Sequence, residues 1–153
     1  MRALAKFTTP WLADAYPRQR LFEWLDQRRE SRVIWVCAPP GAGKTTLISS
    51  YVSARGLQRI WYQIDAGDED PATFFHYLRE AAPRRKTPLP LLTPEYLPDL
   101  SGFTKRFFRQ LFRRLPRPAA LVLDNFQDVQ ECGHLYGVVR DAGRRFRKAI
   151  TYS

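Results

Sequence analysis

The chain has 153 residues, of which 44% are apolar, and its 25 Lys and Arg residues exceed its 15 Asp and Glu residues to leave a formal net charge of +10. This length and composition indicate one globular domain and exclude a disordered chain or a collagen-like repeat. Two cysteines are too few for a disulfide-dense scaffold, and no apolar run reaches the roughly 20 residues that cross a bilayer. Because no apolar segment follows Arg2 and Lys6, we find no secretory signal and expect a cytoplasmic protein without a membrane partner.

Strand-forming and helix-forming segments alternate along the chain. In order, the predicted elements are a helix at 18–29, a strand at 33–37, a helix at 44–55, a strand at 59–64, a helix at 71–82, a loop at 83–100, a helix at 104–115, a strand at 119–123, a helix at 134–145 and the start of a strand at 149–152. The helices have apolar residues at helical spacing, and the strands at 33–37 and 119–123 are apolar runs typical of fully buried strands. This alternation predicts an α/β fold with a mostly parallel sheet.

The loop at 83–100 is rich in proline. Its five prolines exclude a single regular element, and the run Arg84-Arg85-Lys86 makes its beginning basic. We interpret it as a long ordered loop inside one domain that covers residues 1–153.

The connection between the first strand and the second helix has the pattern of a phosphate-binding P-loop. It consists of nine residues: Ala38, Pro39, Pro40, Gly41, Ala42, Gly43, Lys44, Thr45 and Thr46. Gly41 and Gly43 allow the backbone to curl so that successive N–H groups point at phosphate oxygens, and the helix N-terminus adds partial positive charge. Lys44 is placed to reach the β- and γ-phosphates. The Thr45 hydroxyl is placed to bind Mg²⁺, and Thr46 is placed to support the α-phosphate region.

The end of the strand at 119–123 is the candidate for the part of such a site that binds the metal ion. The strand at 119–123 ends at Asp124, whose carboxylate is placed to hold Mg²⁺ directly or through water, opposite Thr45. ATP-hydrolysing proteins often carry a second acidic residue next to this aspartate, but the residue here is Asn125, whose amide accepts no proton. We therefore predict slow hydrolysis or none, with Lys44, Asp124 and Asn125 as the catalytic candidates. A strand-end aspartate that only caps the following turn is the alternative interpretation.

An acidic cluster follows the strand at 59–64. It contains Asp65, Asp68, Glu69 and Asp70, which we interpret as solvated charge of a loop and a helix start. Asp65 is in addition a candidate for the nucleotide side of the sheet. The two histidines have no partners at ligand spacing, so we predict no metal other than Mg²⁺.

Seven segments occur in a characteristic order: Lys6-Phe7, Arg18-x-Arg20-Leu21, the loop at 38–46, Trp61 to Asp65, Asp68 to Phe74, Tyr77-Leu78, and Leu121 to Asn125. This order resembles the nucleotide-binding domain of the large ATP-dependent LuxR-type (maltose-regulon-activator-like) transcriptional regulators, which belong to the STAND class of P-loop ATPases. The resemblance covers roughly residues 1–142. Its more specific part is the aromatic strand that ends at Asp65, followed by an acidic loop and an aromatic helix.

The resemblance implies a P-loop NTPase three-layer sandwich that binds ATP and Mg²⁺ as a switch and self-associates through this domain. It also implies that Arg18 lies near the nucleotide base; a solvated arginine at a helix start is the alternative. Family members continue into a sensor strand, an inducer-sensing region and a DNA-binding module. This chain ends at residue 153, about where the sensor strand begins, and residues 143–153 depart from the family pattern. We therefore expect a partial domain that is incomplete at its C-terminus.

The excess positive charge is concentrated in the second half of the chain. Residues 101–153 carry 11 Lys and Arg against 4 acidic residues, which favours nonspecific binding of nucleic acid. The helical spacing of Phe107, Phe108 and Phe112 favours core positions over stacking on bases. A basic nucleic-acid-binding module is one alternative function. A free-standing P-loop ATPase or small kinase is another; its only candidate for a lid is the loop with Arg84-Arg85-Lys86, whose composition is not that of a lid helix.

Overall fold

The computed structural model describes residues 5–10, 16–29, 33–36, 38–126, 133–144 and 149–152. In chain order its helices and strands are α1 (Gln19–Asp26), β1 (Val33–Val36), α2 (Lys44–Ala54), β2 (Gln58–Gln63), α3 (Pro71–Ala81), α4 (Leu100–Arg114), β3 (Ala119–Asp124), α5 (His134–Arg144) and β4 (Ala149–Tyr152). Short 3-10 helices are present at Ala5–Phe7, Ala66–Glu69 and Pro94–Asp99. Each predicted helix and strand is confirmed, although several ends differ from the prediction. No helix in the described ranges is both long and apolar enough to cross a membrane.

The four strands form two parallel pairs, β1 with β4 and β2 with β3. In the second pair Gln63 lies opposite Asp124 where both strands end. Parallel neighbours need a crossover connection, and α3, the proline-rich segment and α4 provide it between β2 and β3. The parallel pairing agrees with the predicted α/β class.

The described residues divide into two compact units. One unit contains those of Met1–Thr8 and Gln58–Ala142, and it includes β2, α3, α4 and β3. The other contains those of Thr9–Leu57 and Gly143–Ser153, and it includes α1, β1, α2 and β4. Each pair of strands therefore lies within a single unit.

Aromatic side chains fill the core of the unit that contains β2 and β3. The ring centroid of Phe75, on α3, lies 4.9 Å from that of Phe103 and 4.8 Å from that of Phe107, both on α4. Phe74 contacts Tyr62 of β2 at a centroid distance of 5.3 Å. All five side chains are buried, and burial of apolar surface is the main driving force for such packing. Helix α3 therefore packs against both β2 and α4.

The start of α4 differs most from the prediction, because the helix begins at Leu100 and not at residue 104. Asp99 caps this end, and its carboxylate accepts a hydrogen bond from the Gly102 N–H at 2.9 Å. A carboxylate at this position satisfies a first-turn N–H and offsets the low helix propensity of glycine. The apolar spacing used for the prediction carries no information about this cap.

The strands predicted to be fully buried are only partly buried. Ile34 and Val36 of β1 and all six residues of β3 are half-buried, whereas Ile60 and Trp61 of β2 are buried. In the described part of the chain β2 and β3 each have one hydrogen-bonded neighbour, so the difference in burial comes from what packs on their faces, which an apolar run does not specify. Cys37, at the end of the first predicted strand, lies outside the described residues.

Candidate functional site

The loop at 38–46 enters α2 through two residues in the left-handed conformation. Gly41 has a φ of +79° and Gly43 a φ of +78°, a region that glycine adopts without the Cβ clash of other residues. Between them the N–H of Ala42 donates to the carbonyl of Pro39 at 3.2 Å and closes a turn. The backbone therefore curls before α2 begins at Lys44, which is the conformation that a phosphate-binding loop needs.

Positive charge is concentrated where α2 begins. Gly43 is the N-cap residue and offers no side-chain acceptor to the first-turn N–H groups, so the positive end of the helix dipole is available to attract an anion. The ammonium of Lys44 folds back over the loop and donates to the carbonyls of Ala38 at 2.6 Å and Pro39 at 3.2 Å. Carbonyls are neutral and leave the lysine charge uncancelled. The arrangement has the chemistry to hold an anionic group such as phosphate.

The other candidates of the loop lie around this helix start. Thr45 and Thr46 occupy the first turn of α2 and are half-buried, while Pro40 is exposed. A threonine hydroxyl is a hard oxygen ligand of the kind that Mg²⁺ prefers. Its binding to Mg²⁺ here stays a prediction.

Arg18 lies against the same loop. It precedes α1, and its Nη1 donates to the carbonyl of Ala42 at 3.3 Å. Its guanidinium is so close to Gly43 that a Cβ added there would come within 3.1 Å of Nη2. Arg18, a candidate from the family resemblance, and the loop are therefore neighbours. A contact between Arg18 and a nucleotide base stays a prediction.

An ion pair at the other end of α1 holds this helix beside α2. Arg55 Nη2 lies 2.6 Å from Asp26 Oδ2, and the Tyr51 hydroxyl donates to Asp26 Oδ1 at 2.8 Å. The hydrogen bond from Arg55 lowers the pKa of Asp26, while burial raises the pKa of Tyr51 to about 12. The two helices meet at both their starts and their ends, so they run side by side in the same direction. This packing fixes where Arg18 meets the loop.

Asp124 and Asn125 lie where β3 ends, in the unit that contains β2. The Asn125 N–H donates to Asp124 Oδ1 at 3.1 Å, and Asn125 has a φ of +63°, a left-handed conformation that asparagine tolerates. The Ile64 N–H donates to the Asp124 carbonyl at 3.0 Å and holds the residue at the end of β2. One carboxylate oxygen therefore orders the turn. Because Thr45 belongs to the other unit, a shared Mg²⁺ site stays a prediction.

An ion cluster near the end of β2, with one buried and one exposed aspartate, was not predicted. Lys6 Nζ lies 2.7 Å from Asp65 Oδ2 and 2.7 Å from Asp68 Oδ2. The Tyr62 hydroxyl donates to Asp68 Oδ1 at 2.6 Å. Asp68 is fully buried, so the interpretation of the acidic cluster as solvated charge is wrong for this residue. Its helix-start role is confirmed, because its Oδ2 accepts from the Asp65 N–H at 2.9 Å at the start of the 3-10 helix Ala66–Glu69. The carboxylate is held in the interior because a cation and a hydroxyl satisfy its oxygens.

Lys6 is held by aromatic rings as well as by carboxylates. Its ammonium lies 5.2 Å from the ring centroids of both Tyr62 and Tyr77, a cation–π distance. Burial acts to lower the pKa of Lys6, but its hydrogen bonds with the two carboxylates outweigh burial and raise the pKa. The hydrogen bond from Lys6 lowers the pKa of Asp65. Lys6 and Asp65 are 59 residues apart in sequence, and local patterns carry no signal for such a contact.

The other residues singled out in the sequence cap a helix or pack in the core. Asp70 caps α3 by accepting from the Thr73 N–H at 3.0 Å, which confirms its helix-start role. Phe107 and Phe108 are buried, so their predicted core position is confirmed, while Phe112 is half-buried. Across the described residues we find no group of three His, Cys, Asp or Glu side chains that could hold a metal ion.

Comparison with known proteins places the chain in a family. The family model described as "Nephrocystin 3, N-terminal" matches residues 9–136, which is most of the chain. The chain belongs to this family. The range matched by the nephrocystin 3 N-terminal model contains Arg18, the loop at 38–46 and Asp124, whereas Lys6 lies before it.

This family member is also similar to a transcriptional regulator. The HTH-type transcriptional regulator MalT of Cronobacter sakazakii (strain ATCC BAA-894) is 33% identical to it over 114 residues. The aligned region is 71% of this chain but 12% of the regulator, so the chain spans about an eighth of that relative's length. The relationship is therefore with one segment of a MalT-like regulator.

Proposed function

We propose that this chain is an ATP- and Mg²⁺-binding switch domain of a transcriptional regulator, of the STAND type, with the three-layer sandwich of a P-loop NTPase. The observation that carries the proposal is the loop at 38–46, where two left-handed glycines, a helix start without a side-chain cap and the Lys44 ammonium come together. The similarity to MalT supports the regulatory role. In this proposal the bound nucleotide controls self-association of the regulator, and hydrolysis is slow or absent.

The residues present fit the proposed ligands. The loop N–H groups and the ammonium of Lys44 would bind the phosphates, with the lysine exchanging its carbonyl partners for phosphate oxygens. Mg²⁺ would be held by phosphate oxygens, water and the Thr45 hydroxyl, which are hard oxygen ligands that suit this ion. The bound metal would neutralise phosphate charge. Asn125 provides no base for an attacking water, which suits a switch that keeps its nucleotide.

Thermal unfolding with and without Mg-ATP tests the nucleotide site. At a nucleotide concentration one hundred times Kd, binding adds about 2.7 kcal/mol to the free energy of unfolding, which raises Tm by about 5–10 °C for a chain of this length. Lys44→Ala should lose this shift yet unfold at a similar temperature without nucleotide, since among the described residues the lysine side chain bonds to loop carbonyls. Lys105→Ala removes the same charge from the exposed face of α4 and should keep the shift.

Two outcomes would contradict the proposal. A cooperative unfolding transition with no nucleotide shift in the wild-type chain would show that the loop does not bind ATP. A shift that persists in Lys44→Ala would show that ATP binds without the residue on which the proposal depends.

We further propose that Arg18 acts on ATP binding by orienting the loop. The Ala42 carbonyl and the Gly43 N–H belong to one planar trans peptide and point in opposite directions. Arg18 holds the carbonyl, so the N–H is turned to the far side of the peptide, where a phosphate oxygen would accept its hydrogen bond. Arg18 would thus be a positioning residue that acts through the Ala42–Gly43 peptide.

Arg18→Gln should weaken the binding of Mg-ATP and of Mg-pyrophosphate by the same factor, about tenfold, because the lost interaction orients the loop and does not involve the base. Isothermal titration calorimetry measures both affinities. Arg20→Gln removes the same charge from an exposed position on α1 and should change neither affinity more than about twofold. A loss confined to Mg-ATP would instead indicate a contact with the base.

A further inference from the structure

Two arginine residues from separate parts of the chain, Arg85 and Arg114, come together at the end of α4. Arg85 Nη2 donates to the Arg114 carbonyl at 3.3 Å, and Arg114 Nη2 donates to the Thr87 carbonyl at 2.6 Å. Arg79, in the last turn of α3, is close enough for its charge to act on Arg114. The reciprocal hydrogen bonds fasten the proline-rich segment to α4. We call Arg79, Arg85 and Arg114 the arginine cluster.

The charge of the arginine cluster is not balanced by acidic groups. Among the residues that the structure describes, no carboxylate lies within 4.0 Å of any of the three guanidinium groups. Burial, followed by the positive charges of Arg85 and Arg79, lowers the pKa of Arg114. Like charges held together in this way repel each other. An anion bound between them would relieve that repulsion.

Within the described ranges, the guanidinium groups have more hydrogen-bond donors than their hydrogen bonds use. Each carries five N–H groups, and the hydrogen bonds above use one from Arg85 and one from Arg114. The planar fork of a guanidinium matches two oxygens of a phosphate group better than a lysine ammonium does. Four further basic side chains, all exposed, lie next to cluster members in sequence or just beyond the end of α4: Arg84, Lys86, Arg113 and Arg117.

We propose that the arginine cluster is a second anion site, which binds the phosphoryl oxyanion of a free phosphate compound or of a nucleic-acid backbone. It consists of residues of the unit that contains β2 and β3, and it does not depend on the ATP-switch proposal. The positive charge of the cluster and the remaining N–H groups of its guanidinium groups suit the oxygens of a phosphoryl group. The exposed basic neighbours suit a polyanion that continues past a single phosphate. Contacts to backbone phosphates carry no sequence information, so nucleic-acid binding through this cluster would be independent of sequence.

Titration of the full chain with inorganic phosphate tests the site directly. The titration uses the Lys44→Ala background, which removes the main phosphate ligand of the loop at 38–46, and is followed by calorimetry. Arg79→Gln and Arg85→Gln should each weaken phosphate binding about tenfold, because each loses a charge-assisted interaction. Arg109→Gln is the matched control, since this exposed arginine on α4 removes the same charge and should change the affinity by less than about twofold.

A second experiment distinguishes a nucleic-acid backbone from a free phosphate compound as the ligand. Binding of a fluorescent duplex of about 20 base pairs is measured by anisotropy between 50 and 200 mM salt. If the source is nucleic acid, Arg85→Gln should lower the salt slope by about one, the value for one lost phosphate contact, and Arg109→Gln should leave it nearly unchanged. If the same variants affect inorganic phosphate but not the duplex, the source is a free phosphate compound.

Two results would overturn the proposal. One is equal loss of phosphate binding in the cluster variants and in Arg109→Gln, which would indicate general surface charge. The other is the absence of phosphate binding in the Lys44→Ala background when the wild-type chain binds, which would locate all binding at the loop. Arg85→Lys keeps the charge but loses the planar fork, so it should weaken phosphate binding less than Arg85→Gln and more than Arg109→Gln. Thermal unfolding of each variant without ligand excludes misfolding as the cause of a loss.

Discussion

Replacing Asp68 with alanine should lower the free energy of unfolding by about 3–5 kcal/mol, the range found when one partner of a buried ion pair is removed. The side chain is fully buried, and its two oxygens bind the Lys6 ammonium and accept from the Tyr62 hydroxyl. Alanine would deprive both groups of this acceptor in a place that water reaches poorly. Urea-induced unfolding of the variant and the wild-type chain measures the difference.

Asp65→Asn is the matched control for this prediction. Asp65 lies at the same 2.7 Å from Lys6, but its side chain is 63% exposed, and exposed ion pairs contribute about 0–1 kcal/mol. Asparagine also keeps an acceptor for the Gly67 N–H, which Asp65 binds at 2.9 Å. If Asp68→Ala loses no more stability than Asp65→Asn, burial does not strengthen this cluster and the prediction is wrong.

Phe75→Ala should also destabilise the chain by about 3–5 kcal/mol, the cost of truncating a buried phenylalanine. Its ring is 1% exposed and contacts Phe103 and Phe107 in edge-to-face geometry. Truncation would leave a cavity between α3 and α4, which the surrounding helices close only in part. Thermal and urea unfolding measure the change.

Leu97→Ala is the control for the core prediction. Leu97 is 54% exposed, so its truncation should change the free energy of unfolding by less than about 0.5 kcal/mol. A Phe75→Ala variant that unfolds within 1 kcal/mol of the wild type, on the scale expected of exposed positions, would contradict the placement of this ring in the core.

Helix α3 shows where prediction from the sequence works well. Pro71 suits the first turn of a helix, an acidic residue such as Asp70 suits its start, and Phe74, Phe75 and Leu78 have helical spacing. The structure confirms all of these features. They depend on residues within a few positions of each other, so the sequence contains the information directly.

The candidate site was also predicted from local sequence, and the prediction did not extend to contacts between distant residues. The order of strand, glycine loop and helix at 33–55 is a local pattern, and the structure has it with left-handed backbone at both Gly41 and Gly43. The contact between Arg18 and the Ala42 carbonyl joins residues 24 positions apart. It depends on the packing of α1 along α2, which the Asp26–Arg55 ion pair stabilises.

Local sequence specified the kinds of elements, their order and the curled loop before α2, because propensity, capping and glycine backbone freedom act over a few residues. Tertiary structure alone decided that Asp68 is buried against Lys6, that Arg18 meets the loop, and that Arg85 and Arg114 come together. Such contacts join residues distant in the chain. Whether a charged side chain is solvated or buried depends on which distant partner the fold brings to it, and one segment of sequence does not contain that information.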